Sequence, residues 1–308
     1  MPKAGMVSAL PETQPTKKPH WLKVKFPSHQ NFFYVSNTLK KGRLNTICQS
    51  AKCPNVAECW SQKTATFLIL GEICTRRCAF CAVEKGFPSP PSPDEPAHVA
   101  EAVSLLGLRY SVITSVTRDD LSDGGASFFA ATITAIKKRT PEVKIEVLIP
   151  DFKGDEKALG QVSRAQPDIL NHNLETTERL YPRINRPREN YHRSLDVLKK
   201  AKEMGAVTKS GLMIGLGEKK EEIIRSLADL REASCDLLTI GQYLQPSKTH
   251  APVRKYYNPL EFEHLKRIAS DFGFRDVESG PLVRSSYKAH KMYNSLQEKV
   301  KGIEECVI

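Results

Sequence analysis

The stretch Thr66-Phe-Leu-Ile-Leu-Gly-Glu-Ile-Cys-Thr-Arg-Arg-Cys-Ala-Phe-Cys81 joins a short apolar run to three cysteines in a C-x3-C-x2-C spacing. The apolar run is bounded by Gly71 and predicts a buried β-strand. Cys74, Cys78 and Cys81 therefore lie in the loop that follows the strand. Functional loops that follow the carboxyl ends of strands are typical of parallel α/β folds.

The rest of the chain repeats this order of strand and helix. The predicted strands are 66–70, 110–116, 144–149, 168–173, 207–214 and 236–243. The predicted helices are 96–106, 126–138, 156–164, 191–204, 219–232 and 259–272, with a terminal helix after Ser286. Strands separated by helices of about 10–15 residues indicate βαβ units with right-handed crossovers. We therefore predict an α/β fold, a partial (β/α)6 barrel, with its active site at the carboxyl ends of the strands.

A second cysteine triplet lies upstream, where Cys48, Cys53 and Cys59 have a C-x4-C-x5-C spacing. A structural zinc site is closed by four ligands, commonly two separated C-x2-C pairs, and neither triplet supplies that set. Iron–sulfur clusters are also held by cysteines at short spacings, and three ligands leave one iron open to a small molecule. We therefore favour iron–sulfur clusters. Zinc held by a mixed set from both triplets, or a disulfide framework, are the alternatives.

Two further cysteines lie apart from the triplets. Cys235 opens an apolar strand, which predicts a buried small hydrophobic residue rather than a ligand. Cys306 lies near the end of the chain and is expected to be an incidental tail residue.

The motifs resemble those of one enzyme superfamily and of one family within it. The C-x3-C-x2-C spacing, with Phe80 before its last cysteine, resembles the signature of radical S-adenosylmethionine (SAM) enzymes. The C-x4-C-x5-C spacing together with Arg284-Ser-Ser-Tyr287 is similar to the lipoyl synthase family. The similarity runs from about Trp21 to Tyr293. It includes Cys53-Pro-Asn55, Arg118-Asp-Asp-Leu121 and Asp123-Gly-Gly-Ala126.

The resemblance implies that Cys74, Cys78 and Cys81 are catalytic and hold a [4Fe-4S] cluster whose open iron binds SAM. An electron from the cluster would cleave SAM to a 5′-deoxyadenosyl radical. A cofactor is needed because the pKa of an unactivated C–H group is far beyond the reach of general base catalysis. The residues implied for SAM are Phe80 beside the adenine, Gly124 and Gly125 in a methionine-binding loop, Asn173 and Glu175 at the ribose, and Gly215 on the adenine side.

The resemblance also implies an auxiliary [4Fe-4S] cluster on Cys48, Cys53 and Cys59, with Ser286 as a catalytic fourth ligand. A serine oxygen is harder than thiolate and is a weak match for iron–sulfur chemistry, which suits a cluster that is opened during the reaction. In the family this cluster donates the sulfur atoms inserted at C6 and C8 of a protein-bound octanoyl group, which produces the lipoyl cofactor. The alternative role for Ser285 and Ser286 is a helix N-cap.

We expect three regions along the chain. Residues 1–63 form an N-terminal extension that carries the auxiliary-cluster cysteines, and their first 30 residues are predicted to be an extended arm that either lies over the body or is partly disordered. Residues 64–280 form the partial barrel of the radical SAM type. Residues 281–308 form a C-terminal extension with the Arg-Ser-Ser-Tyr motif. Both extensions are expected over the barrel mouth.

The formal net charge of +11 favours an acidic protein partner, since no nucleic-acid-binding motif is present. The family's partner is an octanoylated lipoyl-carrier protein, either the lipoyl domain of a dehydrogenase complex or the glycine cleavage H protein. An electron donor such as ferredoxin or flavodoxin is also implied. No apolar run is long enough to span a bilayer and the first 18 residues lack a targeting pattern. We therefore expect no membrane partner and a cytoplasmic location. A monomer is the default expectation for the oligomeric state.

Two other functions are compatible with parts of the sequence. One is another two-cluster radical enzyme, such as a methylthiotransferase, which would be expected to carry an appended RNA-binding or protein-binding domain. The other is a non-catalytic iron–sulfur or zinc protein that binds nucleic acid through its basic surface. Iron content and SAM cleavage distinguish these possibilities.

Overall fold

The computed structural model describes residues 17–24 and 26–305, with side chains described up to residue 298. The tail position predicted for Cys306 lies outside these residues, as does more than half of the arm predicted for residues 1–30. Within the described part of the chain, no helix is both long enough and apolar enough to cross a bilayer.

The described residues form ten β-strands and ten α-helices. The strands are β1 (Asn45–Thr46), β2 (Thr66–Ile69), β3 (Ile73–Cys74), β4 (Glu84–Lys85), β5 (Tyr110–Ser115), β6 (Lys144–Leu148), β7 (Ile169–Asn171), β8 (Thr208–Ile214), β9 (Leu237–Gln242) and β10 (Asp276–Gly280). The helices are α1 (Gln30–Lys41), α2 (Ile47–Ser50), α3 (Val56–Ser61), α4 (Glu95–Leu106), α5 (Ala126–Arg139), α6 (Glu156–Arg164), α7 (Glu189–Glu203), α8 (Lys220–Glu232), α9 (Pro259–Asp271) and α10 (Ala289–Glu305).

Eight strands form one sheet in the order β1-β2-β5-β6-β7-β8-β9-β10, while β3 and β4 form a separate pair. The strands from β2 to β10 pair in parallel, and β1 adds an antiparallel edge to β2. One helix from α4 to α9 lies between each two consecutive parallel strands. Within the described residues β1 and β10 do not pair, so the sheet stays open. The α/β class and the partial barrel predicted from the sequence are confirmed.

The strand β10 was not predicted, so the sheet has seven parallel strands rather than six. Its sequence, Asp-Val-Glu-Ser-Gly, contains one large apolar side chain, Val277, and shows no apolar run. The strand forms because its backbone pairs in register with β9, from Asp276 opposite Leu237 to Gly280 opposite Gly241. Tertiary pairing therefore outweighs a weak local propensity.

The core lies on both faces of the sheet, as parallel strands covered by helices require. Every residue of β2 and of β9 is buried. Glu146 in the middle of β6 and Lys209 near the amino end of β8 form a fully buried salt bridge at 3.0 Å. Asn171 and Tyr110 add hydrogen bonds to the same carboxylate, at 2.9 and 2.7 Å. These partners offset the cost of burying the two charges.

The helix α10 packs at the amino end of the sheet. Its residues Met292 and Leu296 form a small apolar core with Ile169 and Leu237, the first residues of β7 and β9. The chain between β10 and α10 passes close to the other end of the sheet. There the carbonyl of Val283 lies against Gly241, near the carboxyl end of β9. The Arg-Ser-Ser-Tyr motif lies in this connecting chain.

Candidate active site

The cysteine loop, defined here as residues 74–81, is fastened to the loops that follow two other strands. The backbone N–H and the hydroxyl of Thr75 both donate to the carbonyl of Thr117, after β5, at 3.1 and 2.9 Å. The carbonyl of Ala79 accepts from the N–H of Ala251, after β9, at 2.8 Å. These contacts place the loop at the carboxyl edge of the parallel sheet, where functional residues of such folds gather.

Arg76, between the first two cysteines of the loop, forms two ion pairs. Its guanidinium donates to both carboxylate oxygens of Asp119, at 2.7 and 2.9 Å, and to Asp151 at 2.6 Å. Burial opposes ionisation of Asp151, but the Arg76 guanidinium holds the pKa of that carboxyl well below its usual range. Charge therefore ties the cysteine loop to the loops after β5 and β6.

The turn that leads into the cysteine loop is held by its own partners. Leu70 has a φ of 70°, which is uncommon for a residue other than glycine. Its N–H donates to Glu95 Oε2 at 2.7 Å, and its carbonyl accepts from Arg118 at 3.1 Å. Arg118 is buried and pairs with Asp120 at 2.7 Å. Two residues of the Arg-Asp-Asp motif thus support the cysteine loop. Arg118 holds Leu70, which precedes the loop, and Asp119 holds Arg76 within it.

Cys74, Cys78 and Cys81 lie close together, and neighbouring thiols affect the ionisation of Cys78 and Cys81. Burial raises the pKa of Cys78, and it raises the pKa of Cys81 to about 12, with a further contribution from the other thiols. Buried thiolates need a positive partner, which bound iron supplies. Three soft sulfur donors without a fourth fit an iron–sulfur cluster with an open iron.

The described residues contain neither a disulfide nor a preformed metal-ion site. No group of three or more His, Cys, Asp or Glu side chains there, in either triplet or elsewhere, is already arranged around a metal-ion position. All seven described cysteines are free thiols. Cys235 is fully buried in an apolar core, as predicted.

Cys48, Cys53 and Cys59 form a second group of neighbouring thiols. Cys48 lies in α2 and Cys59 in α3, and the N–H of Cys53 between them donates to the carbonyl of Cys48 at 2.9 Å. Burial raises the pKa of all three, to about 12 for Cys59, and repulsion from neighbouring thiols adds to the effect at Cys48 and Cys59. Arg284 of the C-terminal extension acts in the opposite direction and favours the thiolate of Cys53.

The C-terminal segment, defined here as residues 282–287, contacts the residues around these thiols. The Asn55 side chain donates to the carbonyl of Leu282 at 2.6 Å. The Tyr287 hydroxyl donates to Glu58 Oε1 at 3.0 Å. The distant Arg-Ser-Ser-Tyr motif and the first cysteine triplet therefore belong to one site.

The two serines of the C-terminal segment have different surroundings. The Ser285 hydroxyl donates to Asn173 Oδ1 at 2.8 Å. Ser286 is half-buried, and its side chain makes no hydrogen bond within the described residues. The helix α10 begins at Ala289, so its N-cap position is Lys288. The alternative that either serine caps a helix is wrong.

Asn173 and Glu175, predicted for the ribose of SAM, follow β7 and share a site with the cysteine loop. Glu175 has a φ of 70°, held because its N–H and carbonyl bond to the backbone of Gly211 and Met213 on β8, at 3.0 and 2.7 Å. Burial raises the pKa of Glu175, while Arg186 and Asn173 lower it. The Glu175 carboxyl in turn acts on the ionisation of Cys78 and Cys81.

Arg186 is a site residue that sequence reasoning missed. It is 8% exposed, its guanidinium lies 5.4 Å from the centre of the Tyr181 ring, and its Nε has no hydrogen-bond partner among the described residues. A buried donor without a partner is costly, so this group fits an anionic ligand. Its sequence context, Pro182-Arg-Ile-Asn-Arg-Pro-Arg188, reads as a basic loop and gives no sign that one arginine is buried.

The predicted SAM-contact glycines have structural reasons of their own. Gly124 and Gly125 have φ of 61° and 91°, and a Cβ added to Gly125 would lie 2.2 Å from Leu70 Cδ1. Gly215 has a φ of 110°, and an added Cβ would lie 2.1 Å from Gln242 Nε2. Glycine is thus required at these positions by conformation and by packing, and their contact with SAM stays a prediction. Phe80 packs against a small apolar core beside the cysteine loop.

Comparison with known proteins places this site in a family. The model of the Radical SAM superfamily matches residues 68–230. A lipoyl synthase of Caldicellulosiruptor bescii is 56% identical over 275 residues, which are 89% of this chain and 94% of the relative. A lipoyl synthase of Rubrobacter xylanophilus is 53% identical over 276 residues, which are 89% of this chain and 86% of the relative. The chain belongs to the lipoyl synthase family. The family and the enzyme class predicted from the sequence are confirmed, and membership of the radical SAM superfamily implies a [4Fe-4S] cluster and SAM.

Solved structures agree with this family in their fold. Methylornithine synthase has a TM-score of 0.54 at 14% identity, covering 79% of this chain and 74% of that chain. A maturase of the [FeFe]-hydrogenase has a TM-score of 0.54 at 13% identity, covering 78% and 65%. At these identities the likeness shows the fold alone. The lipoyl synthase assignment rests on the sequence relatives.

Proposed function

We propose that this lipoyl synthase family member inserts two sulfur atoms, at C6 and C8, into an octanoyl group bound to a carrier protein. The sulfur comes from an auxiliary cluster on the first cysteine triplet. The observation that carries this proposal is the position of the C-terminal segment. It contacts Asn55 and Glu58 beside the first triplet, and through Ser285 it contacts Asn173 in the site of the second triplet. One short segment thus contacts the surroundings of both cysteine triplets.

At the site of the cysteine loop, Cys74, Cys78 and Cys81 would hold a [4Fe-4S] cluster, and SAM bound there supplies the hydrogen-abstracting species that an unactivated C–H group requires. Arg186 offers a buried positive charge to the SAM carboxylate. Asn173, with its Nδ2 donor group, would hold the ribose hydroxyls. These residues bind and orient SAM.

At the second site, Cys48, Cys53 and Cys59 would hold the auxiliary cluster with Ser286 as the fourth ligand. Ser285 is engaged with Asn173, which leaves the neighbouring serine for this role. An alkoxide ligand is harder than a thiolate and is displaced more easily from iron–sulfur chemistry. Arg284, half-buried beside Cys53, supports the thiolate there.

We infer two protein partners from the family and from the charge of the chain. The octanoyl carrier is a lipoyl domain of a dehydrogenase complex or a glycine cleavage H protein. The electron donor is a ferredoxin or a flavodoxin. A formal net charge of +11 suits acidic partners, because long-range attraction raises encounter rates.

The test is an anaerobic incubation of the reconstituted protein with an octanoylated carrier peptide, dithionite and SAM. We expect about eight iron atoms per chain, formation of 5′-deoxyadenosine, and a peptide product with the mass of two added sulfur atoms. Omission of SAM serves as the control and should leave the peptide unchanged. Full iron content with formation of 5′-deoxyadenosine but no added sulfur would contradict the proposal.

A further inference from the structure

The C-terminal segment is seated against two glycines of the sheet, Gly211 in β8 and Gly241 in β9. A Cβ added to Gly241 would lie 2.2 Å from the carbonyl oxygen of Val283, and one added to Gly211 would lie 2.8 Å from Ser285 Oγ. Neither glycine has a φ in the left-handed region, so the strand backbone itself does not require glycine there. Close approach of other groups, the segment among them, is what excludes a side chain at both positions.

The side-chain amide of Asn173 has a partner at each of its two ends. Its Oδ1 accepts the hydrogen bond of the Ser285 hydroxyl at 2.8 Å. The same amide lowers the pKa of the buried Glu175 carboxyl by hydrogen bonding. A hydrogen bond that lowers a carboxyl pKa is donated to the charged form, so the Nδ2 end of the amide faces Glu175. Ser285 and Glu175 together therefore fix which way the amide points.

The position of Ser285 depends in turn on contacts made beside the first cysteine triplet. The buried Asn55 side chain donates to the carbonyl of Leu282 at 2.6 Å. The Tyr287 hydroxyl donates to Glu58 Oε1 at 3.0 Å. Ser285 lies between these two anchored residues of the C-terminal segment. The orientation of an amide in the SAM site is thus tied to a segment held at the other cysteine triplet.

We propose that Ser285 is a positioning residue for SAM that acts through Asn173, and that the C-terminal segment thereby couples SAM binding to its own contacts at the first triplet. The inference rests on the proposed function, in which Asn173 holds the ribose hydroxyls. With Ser285 in place, the amide is already oriented for the ribose. Without it, the cost of ordering the amide falls on SAM binding. Because such coupling is reciprocal, bound SAM also favours the seated segment.

The first experiment is a calorimetric titration of SAM into the anaerobically reconstituted, unreduced protein, in which SAM is not cleaved. The Kd should rise about three- to tenfold in Ser285→Ala, as loss of one hydrogen bond implies. The control, Ser61→Ala, removes a hydroxyl that donates to the carbonyl of Ala57 within α3, and its Kd should equal that of the parent. The double variant of Ser285→Ala with Asn173→Ala should bind SAM no more weakly than Asn173→Ala alone, since Ser285 acts through Asn173.

The second experiment measures the coupling through amide hydrogen exchange in residues 282–287, with and without saturating SAM. In the parent, SAM should slow this exchange by about three- to tenfold, because linkage requires the same factor in both directions. In Ser285→Ala, SAM should leave the exchange of the segment nearly unchanged. Neither measurement depends on sulfur insertion.

Several results would overturn this inference. An unchanged Kd in Ser285→Ala, or an equal rise in Ser61→Ala, would contradict the positioning role. A double variant whose Kd rises by the product of the two single effects would show that Ser285 acts independently of Asn173. Equal exchange of the segment with and without SAM would contradict the coupling. Failure of the proposed function has a different signature, because Asn173→Ala would then bind SAM as the parent does, or the parent would add no sulfur to the octanoylated peptide.

Discussion

The Ser285 hydroxyl donates a hydrogen bond to Asn173 Oδ1 at 2.8 Å, between positions 112 residues apart. The pair lies over Gly211 of β8, where an added Cβ would lie 2.6 Å from Asn173 Oδ1 and 2.8 Å from Ser285 Oγ. Glycine at that position therefore makes the contact possible. Because Ser285 is engaged with the strand-end site, the adjacent Ser286 is the serine available to the first cysteine triplet.

The two serines should respond differently to the same substitution. We expect Ser286→Ala to retain SAM cleavage but to lower sulfur insertion by about 10- to 100-fold, as loss of a metal-site partner commonly does. Ser285→Ala removes one neutral hydrogen bond and should have a smaller effect on insertion. Mass analysis of the octanoylated peptide product measures both. A greater loss of insertion in Ser285→Ala than in Ser286→Ala would reverse the assignment.

Gly125 should not tolerate a side chain, whereas Gly107, which also has a positive φ, should. Both Gly125 and Gly107 have positive φ, 91° and 63°, but an added Cβ meets Leu70 at 2.2 Å in the first and nothing within 4 Å in the second. Gly107→Ala should lower the free energy of unfolding by about 1 kcal/mol. Gly125→Ala should lower it by roughly 1–3 kcal/mol more, since it adds overpacking. Urea unfolding of the two variants measures these losses. Equal losses would show that Leu70 moves away from the added Cβ with no cost in free energy.

Substitution of Arg76 should lower the free energy of unfolding far more than substitution of its neighbour Arg77. Arg76→Ala leaves the fully buried Asp151 and the adjacent Asp119 without their shared cation, and we expect a loss of roughly 3 kcal/mol in unfolding free energy. Arg77→Ala removes an exposed cation that forms no salt bridge with the described residues, and it should change that energy by less than about 0.5 kcal/mol. Urea unfolding of the two variants measures the difference. Similar values for both would contradict the proposed anchoring of the cysteine loop.

His172 should make the fold sensitive to mild acid. Its ring is buried, with Nδ1 2.9 Å from the carbonyl of Ile149 and Nε2 3.0 Å from Ser194 Oγ. Burial lowers the pKa of His172 to about 4. The unfolded chain, with a His pKa of about 6.5, then binds the proton first, so stability is full above pH 6.5 and is lost as the pH falls toward 4. Between these values the loss approaches about 1.4 kcal/mol per pH unit.

The matched measurement for His172 is the unfolding free energy at pH 7.5 and pH 5.5 in the parent and in His172→Gln. The variant lacks the titrating ring, so its stability should fall less between the two pH values than that of the parent. Other groups titrate equally in both proteins. The same fall in both would show that His172 is not the group responsible.

The parts of the fold that follow from local pattern were predictable. The apolar runs that became β2, β5, β6, β8 and β9 are long enough to stand out, and the helices between them are amphipathic. The strand β10 was missed, since only Val277 marks it and its pairing with β9 is not visible in the chain. The strand predicted at 168–173 is shorter in the structure, where β7 ends at Asn171.

The candidate site likewise has features that the sequence predicts and features that only the tertiary fold reveals. Spacing identified both cysteine triplets, because their ligand sets are local in sequence. Contacts that join distant loops were not readable, among them Arg76 with Asp119 and Ser285 with Asn173. Arg186 was missed because burial, not residue type, distinguishes it from the neighbouring arginines. Sequence pattern therefore gives the ligands, while their support depends on the tertiary fold.

The central claim is that the two cysteine triplets have separate roles, and one measurement tests it directly. Cys78→Ala, Cys53→Ala and the control Cys235→Ala, a buried cysteine outside both triplets, are assayed together for 5′-deoxyadenosine and for sulfur added to the octanoylated peptide. We predict that Cys78→Ala forms neither product, that Cys53→Ala forms 5′-deoxyadenosine without sulfur insertion, and that Cys235→Ala forms both. Equal loss of 5′-deoxyadenosine in folded Cys53→Ala and Cys78→Ala, with Cys235→Ala active, would contradict the division of roles.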